Sequence, residues 1–149
     1  MDAFPVKKPG DITALGFDFG TKRIGVASGQ SIIGTASALA PIAARDGIPD
    51  WQVMDKLIEK WQPDVFVVGL PYNMDDSESE LFFKARKFGN RLNARYLKPC
   101  FGMDERLSSF EARGQLLRGE SKAQLDSLAA QLVLESWFSG LAEKFRDYD

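Results

Sequence analysis

The chain has 149 residues, a formal net charge of −2 at pH 7, 44% hydrophobic residues and 27% charged residues. That balance fits an ordered globular domain, and the length fits one domain rather than two nucleotide-binding lobes closing on a cleft. Histidine is absent and cysteine occurs once, as Cys100, which excludes Ser-His-Asp and Cys-His catalysis, imidazole bases, His-containing zinc sites and internal disulfides.

Ionisable chemistry therefore falls to carboxylates, lysines, arginines and tyrosines. The lone cysteine fits a reducing compartment. No run of ~18 apolar residues is present, and Met1 to Gly10, carrying Pro5 and Pro9, lacks the apolar core of a signal peptide. The expectation is a cytoplasmic protein with no membrane partner. Residues 1–11 read as a flexible lead, 12–142 as the domain and 143–149 as a polar tail.

Thr13 to Phe19 alternates as a strand, with Leu15, Phe17 and Phe19 on one side, and Gly20 and Thr21 make a turn. Arg23 to Ala27 and Ile32 to Ala38 read as two further strands of an antiparallel meander. From Ile48 to Trp61 the period becomes helical, through Trp51, Met54, Leu57, Ile58 and Trp61. Val65 to Leu70 is a short apolar run between Pro63 and Pro71, the pattern of a strand buried on both faces. Ser77 to Asn93 predicts a helix, and Arg95 to Met103 a strand broken by Pro99. Capping boxes at Ser108/Glu111 and Ser121/Gln124 open two last helices, the first over Phe110 to Arg118. The order βββ-α-β-α-β-α-α predicts an α/β fold: one mixed five-stranded sheet with helices on both faces.

Without histidine, a hydrolase remains possible if divalent ions generate the nucleophile, and such ions need carboxylates converging from separate elements. Asp18 interrupts an otherwise apolar strand, where an acid is desolvated unless paired or metal-bound. The alternative is an Asp cap on a hairpin turn. Gly20, Thr21, Lys22 and Arg23 follow it, a tight turn with backbone donors and two cations that suits a phosphate. Glu105 falls just past a predicted strand, where α/β sheets place their ligand crevice; a solvated charged turn is the alternative. Asp126 lies near the start of the last helix, where the helix dipole alone would favour it. Ala129 and Ala130 one turn on would let that helix approach the sheet and bring Asp126 to Asp18.

The loop after the buried strand, with Pro71 and Asn73, is a candidate substrate wall or a plain strand-to-helix connection. From Phe82 to Met103 there are six cations (Lys84, Arg86, Lys87, Arg91, Arg95 and Lys98) and no acid. Lys84, Lys87, Arg91 and Arg95 recur at helical spacing, as a stripe tracking phosphates or as a solvated face. A third idea, a sugar-kinase-like or actin-like phosphate turn at Asp18-Phe19-Gly20-Thr21, needs a second lobe that 149 residues do not supply.

Four motifs taken together, LGFDFGTKRIGVA (15–27), VVGLPYNM (67–74), DERLSSFEA (104–112) and DSLAAQLVLESW (126–137), resemble the YqgF/RuvX family of pre-16S rRNA nucleases, also described as Holliday-junction-resolvase-like. The resemblance implies an RNase H-like fold and three acidic site residues, which fall on Asp18, Glu105 and Asp126 and would hold Mg²⁺ or Mn²⁺. It further implies cleavage leaving a 5′-phosphate, a role in 5′-end processing of the small-subunit rRNA precursor, and a cytoplasmic location. Lys22, Arg23, Lys84, Lys87, Arg91 and Arg106 are the expected nucleic-acid contacts. The expected partner is nucleic acid, with pre-rRNA ahead of branched DNA, in a monomer or homodimer that meets the pre-ribosomal particle. Two departures stand out. Asp76 replaces the usual Gly of the loop, and Ala129 occupies a position where related resolvases carry another acid. The competing expectation is a scaffold that binds pre-ribosomal RNA with little catalysis.

Overall fold

The computed structural model describes residues 1–73, 75, 77–105 and 122–146, with side chains of the last segment described from 125 onward. Six strands, β1 (Thr13–Asp18), β2 (Arg23–Gln30), β3 (Ala36–Arg45), β4 (Ile48–Pro49), β5 (Val65–Leu70) and β6 (Cys100–Asp104), form one sheet in the order β4-β3-β2-β1-β5-β6. Strands β1 to β4 pair antiparallel, while β5 runs parallel to both β1 and β6. Three helices occur among the described residues: α1 (Trp51–Trp61), α2 (Glu80–Tyr96) and α3 (Lys122–Lys144). The predicted helix over 110–118 and the two capping boxes lie outside the described side chains.

The sixth strand comes from a hairpin that the helical reading of Ile48 obscured. Asp46 (φ 51°) and Gly47 (φ 81°) are both left-handed, the geometry of a two-residue Asp-Gly hairpin turn. Ile48 and Pro49 consequently pair with Arg45 and Ala44, and α1 starts later, capped by the Asp50 carboxylate, which accepts from the Gln52 and Val53 amides. Strand β3 also begins later than predicted, because Ser31 to Gly34 turn the chain and the Gly34 amide closes onto the Gln30 carbonyl at 3.0 Å. It then runs through Pro41, which falls where the β2–β3 register slips by one residue opposite Gly25. A bulge is the one place inside a sheet where a missing amide costs little. Helix α2 is shifted three residues, from Ser79 as N-cap to Leu97 (φ 56°) as C-cap. Ser77 instead bonds within its loop to Asp75 and Asn73.

The pleat divides the core. Leu15, Phe17, Ile24, Phe66 and Val68 face α1 and α2, where Met54, Phe88 and Leu92 complete a wholly buried layer. Ala14, Ala27, Val67, Ala130, Leu134 and Trp137 make the layer under α3. On β1 and β2 the residues facing α3 are small, Ala14, Gly16, Gly25 and Ala27, so this helix lies close on those two strands. The lead is anchored at its first four residues: the Trp137 indole N–H donates to the Ala3 carbonyl at 2.7 Å, Phe4 stacks on Trp137 at 6.2 Å, and the Gly102 amide donates to the Asp2 carbonyl at 2.9 Å. Buried Trp N–H groups seek such partners, and the nearest carbonyl belongs to the N-terminal segment.

Helices α1 and α2 are clasped at the surface. Arg95 grips Asp55 through two bonds of 2.9 and 2.7 Å, Tyr96 donates to the same carboxylate at 2.6 Å, and the guanidinium lies 4.9 Å from the Trp51 ring. The Arg95 and Tyr96 hydrogen bonds hold the Asp55 carboxyl down at about 2. A carboxylate with a lowered folded pKa stabilises above its unfolded value and loses that contribution as pH falls toward the folded one. Asp55→Asn should therefore lower the melting temperature at pH 7, with the difference from wild type narrowing between pH 4 and pH 2; an equal difference at both ends contradicts the clasp.

Candidate functional site

Asp18 is the last residue of β1, and in register it lies between Gly25 on β2 and Gly69 on β5. All three positions point to the α3 side of the sheet. At Gly25 a methyl group would overlap the carbonyl of Asp126, so the start of α3 rests directly on the β2 backbone. At Gly69 a methyl group would come within 3.0 Å of Glu105 Oε2 and 3.1 Å of Val133. Two absent side chains thus bring one acid from α3 and one from the end of β6 over the acid of β1.

Each neighbour is held from behind. The Glu105 amide donates to the Leu70 carbonyl at 3.2 Å, which extends the β5–β6 ladder by one residue and leaves the Glu105 side chain over Gly69. Buried Ser127 donates to the Leu39 carbonyl at 2.5 Å, and Glu135 accepts from the Ala36 amide at 3.0 Å. These bonds fix α3 against β3 and set the height of Asp126. Arg23, at the start of β2, donates to Asp126 at 3.0 Å. Both partners of this ion pair are substantially exposed, so it contributes at most ~1 kcal/mol and is easily exchanged.

The Asp18 carboxyl lies well above the usual carboxylate range. Burial is the first cause, followed by the negative charge of Glu105, the hydrogen bond between the two carboxyls and the charge of Asp126. Asp18 is partly exposed by surface area, but protein surrounds it closely enough for desolvation to dominate. Among the described residues no three such groups already form a metal cage. The donors nonetheless suit a hard divalent cation in kind: three carboxylates from three parts of the chain, one of them held only by a weak surface ion pair.

The other sequence candidates divide. Gly20 and Thr21 form the β1–β2 turn, and the Thr21 and Lys22 carbonyls accept from Gly47 and Ala44 at 2.9 and 2.8 Å; the Asp-Gly hairpin thereby braces the turn. The Lys22 side chain stays exposed. Pro71 accepts from the Ser79 hydroxyl at 3.3 Å, and Asn73 bonds Ser77 by side chain and backbone, so both shape the loop between β5 and α2. Lys84 is not a free cation: it donates to Asp46 at 3.2 Å and lies 3.7 Å from Glu80. Lys87 and Arg91 lie along α2, away from the acids. Arg106 and Asp76 lie outside the described residues. Sequence reading missed Gly25 and Gly69 as site-forming positions, although a glycine inside a strand signals close approach of other atoms.

A carboxyl whose folded pKa is raised is most favourable to folding below its unfolded value near pH 4 and loses that contribution as pH climbs through the folded value. Asp18→Asn, measured with chelator present, should raise the melting temperature at pH 7.5, and the gain should shrink as pH falls toward 4. A variant less stable than wild type at pH 7.5 contradicts the crowding of charge described here. Gly25→Ala should destabilise by about 1–3 kcal/mol or more in urea unfolding, since the atom it meets is helix backbone; no change would place α3 farther from β2.

Residues 12–140 match the family described as RuvX: Holliday junction resolvase. A protein of Marinobacter nauticus named "Putative pre-16S rRNA nuclease" is 52% identical over 134 residues, covering 87% of this chain and 94% of its own. One of the same name from Chromohalobacter salexigens is 53% identical over 135 residues, covering 87% and 91%. Among solved structures, the fold is similar to T. thermophilus RuvC in complex with Holliday junction substrate, with TM-score 0.53 and 12% identity over 88% of this chain and 96% of that one.

Proposed function

The chain belongs to the RuvX family of Holliday-junction-resolvase proteins, and from that premise we propose that it is a metal-dependent nuclease that hydrolyses phosphodiester bonds in 5′-end processing of pre-16S rRNA. The observation that carries this reading is the approach of Asp126 and Glu105 to Asp18 through the space left by Gly25 and Gly69. A protein gains no stability from pressing three acids together, so the arrangement calls for a positive partner. The rRNA assignment is supported by the names of the relatives that share half of this chain's residues.

Asp18, Glu105 and Asp126 would hold Mg²⁺ or Mn²⁺. Such an ion, when bound, supplies Lewis-acid stabilisation of the charge that builds on the phosphoryl group and acidifies water. Asp18 would have to be ionised to serve as a ligand, and burial together with Glu105 and Asp126 raises its pKa, so binding is expected to weaken as pH falls. Arg23, which donates to Asp126 at 3.0 Å, would be the cation next to the ion's ligands and would serve the phosphate beside the scissile bond. Lys22, on the same turn, adds a second cation facing the substrate backbone. Phosphate recognition by Arg is bidentate and geometrically selective, whereas Lys acts as a point charge.

A second reading keeps the same surface without turnover: a pre-ribosomal RNA-binding scaffold. The Arg23–Asp126 pair, which occupies one acid, favours it. A cleavage assay on a pre-16S rRNA fragment, a duplex and a four-way DNA junction, with Mg²⁺, Mn²⁺ or chelator, separates the readings. The expected result is cleavage of the rRNA fragment that requires the ion and falls to background in Asp18→Asn, while binding of the fragment persists. Full activity of that variant rejects the site; binding by wild type without any cleavage supports the scaffold.

A further inference from the structure

Helix α2 carries a feature that the acids do not use. Phe83 is 52% exposed, on the outward side of a helix whose other phenylalanines, Phe82 and Phe88, are buried. One turn on stand Arg86 and Lys87, with Arg91 beyond. Asp46 and Glu80 engage Lys84, and Asp55 engages Arg95, but Arg86, Lys87 and Arg91 meet no acid among the described residues. Three cations without an acid partner among the described residues therefore stand beside one exposed ring on the same side of α2.

The ring is also linked to the acids. Phe83 packs edge-on against Phe82 at 5.5 Å, and Phe82 against Tyr72 at 4.7 Å. The Tyr72 amide donates to the Leu70 carbonyl, the same oxygen that receives the Glu105 amide. An aromatic series thus leads from the residue that holds Glu105 to the surface of α2. Acids do occur near the first turn of α2, at Asp75, Glu78 and Glu80, so the cationic face begins at Phe83 and extends toward the C-terminal end of the helix.

We infer that Phe83, with Arg86, Lys87 and Arg91, is a stacking platform for an unpaired segment of the nucleic-acid substrate. A π-face accepts any exposed base, and the cations follow the backbone to either side. A duplex buries its base faces, so the ring has nothing to stack on there and only the cations remain useful. This rests on the nuclease reading for the nature of the ligand, and it deepens that reading by favouring substrates with a single-stranded flank over continuous duplex or fully paired arms.

The test measures binding in chelator, where cleavage is silent, using single-stranded RNA and DNA oligonucleotides carrying 2-aminopurine and a matched duplex. Phe83→Ala should weaken single-strand binding roughly tenfold and restore 2-aminopurine fluorescence, with duplex binding changed less than about twofold. Phe83→Trp should retain single-strand binding. The Lys87→Glu/Arg91→Glu double variant should weaken both ligands and flatten the salt dependence. Unchanged single-strand binding in Phe83→Ala, or equal losses on both ligands, overturns the platform. Loss of the nuclease reading would look different: no ion-dependent cleavage by wild type, with the Phe83 effect on binding intact.

Discussion

Two missing side chains decide what this sheet can do. Gly25 and Gly69 flank Asp18 in register, and through the space they leave, the backbone of α3 and the side chain of Glu105 reach the end of β1. A single methyl group at either position would push an acid away from Asp18. The rest of the α3 face is graded to the same end. Ala14, Ala27 and Ala130 let the helix lie low, and Trp137 and Leu134 fill the space farther along. The opposite face is filled by Phe17, Phe66 and Phe88 under α1 and α2.

The electrostatics follow from that geometry. Burial and the negative charges of Glu105 and Asp126 raise the Asp18 pKa, and Asp126 is engaged by a weak ion pair to Arg23. That half-exposed Arg–Asp pair costs at most about 1 kcal/mol to open. Structural ion pairs meant to last are built like the Asp55–Arg95–Tyr96 clasp, with several short bonds to one carboxylate. The two carboxylate environments in one small domain thus differ: one is fastened by several bonds, the other by a single exposed one.

Much of this was legible in the residues. An acid inside LGFDFG, an acid directly after a parallel strand and an acid one turn ahead of Ala129-Ala130 each had an ordinary explanation, and only their convergence separates the two kinds. The mixed sheet followed from three close strands and two later βα steps. What escaped reading was local and physical. Ile48 and Pro49, the strand that follows the Asp46-Gly47 turn, fell at the start of a segment whose apolar spacing looked helical, because two strand residues are too few to display a period. Ser79, not Ser77, caps α2, because Ser77 satisfies Asp75 and Asn73 first. Lys84 joined a basic stripe by spacing, but its partner Asp46 is 38 residues away and no periodicity reveals it. The anchored N-terminus depended on the indole of Trp137 needing an acceptor, a demand that sequence shows without showing who meets it.

The most direct measurement is the melting temperature of the wild-type protein as Mg²⁺ or Mn²⁺ is titrated at pH 7.5, beside Asp18→Asn and Glu105→Gln. If the three carboxylates wait for a cation, wild type gains stability with the logarithm of ion concentration once the site begins to fill, and both variants lose most of that response. A wild-type curve that does not move, or variants that respond as wild type does, would mean that the acids meet for another reason.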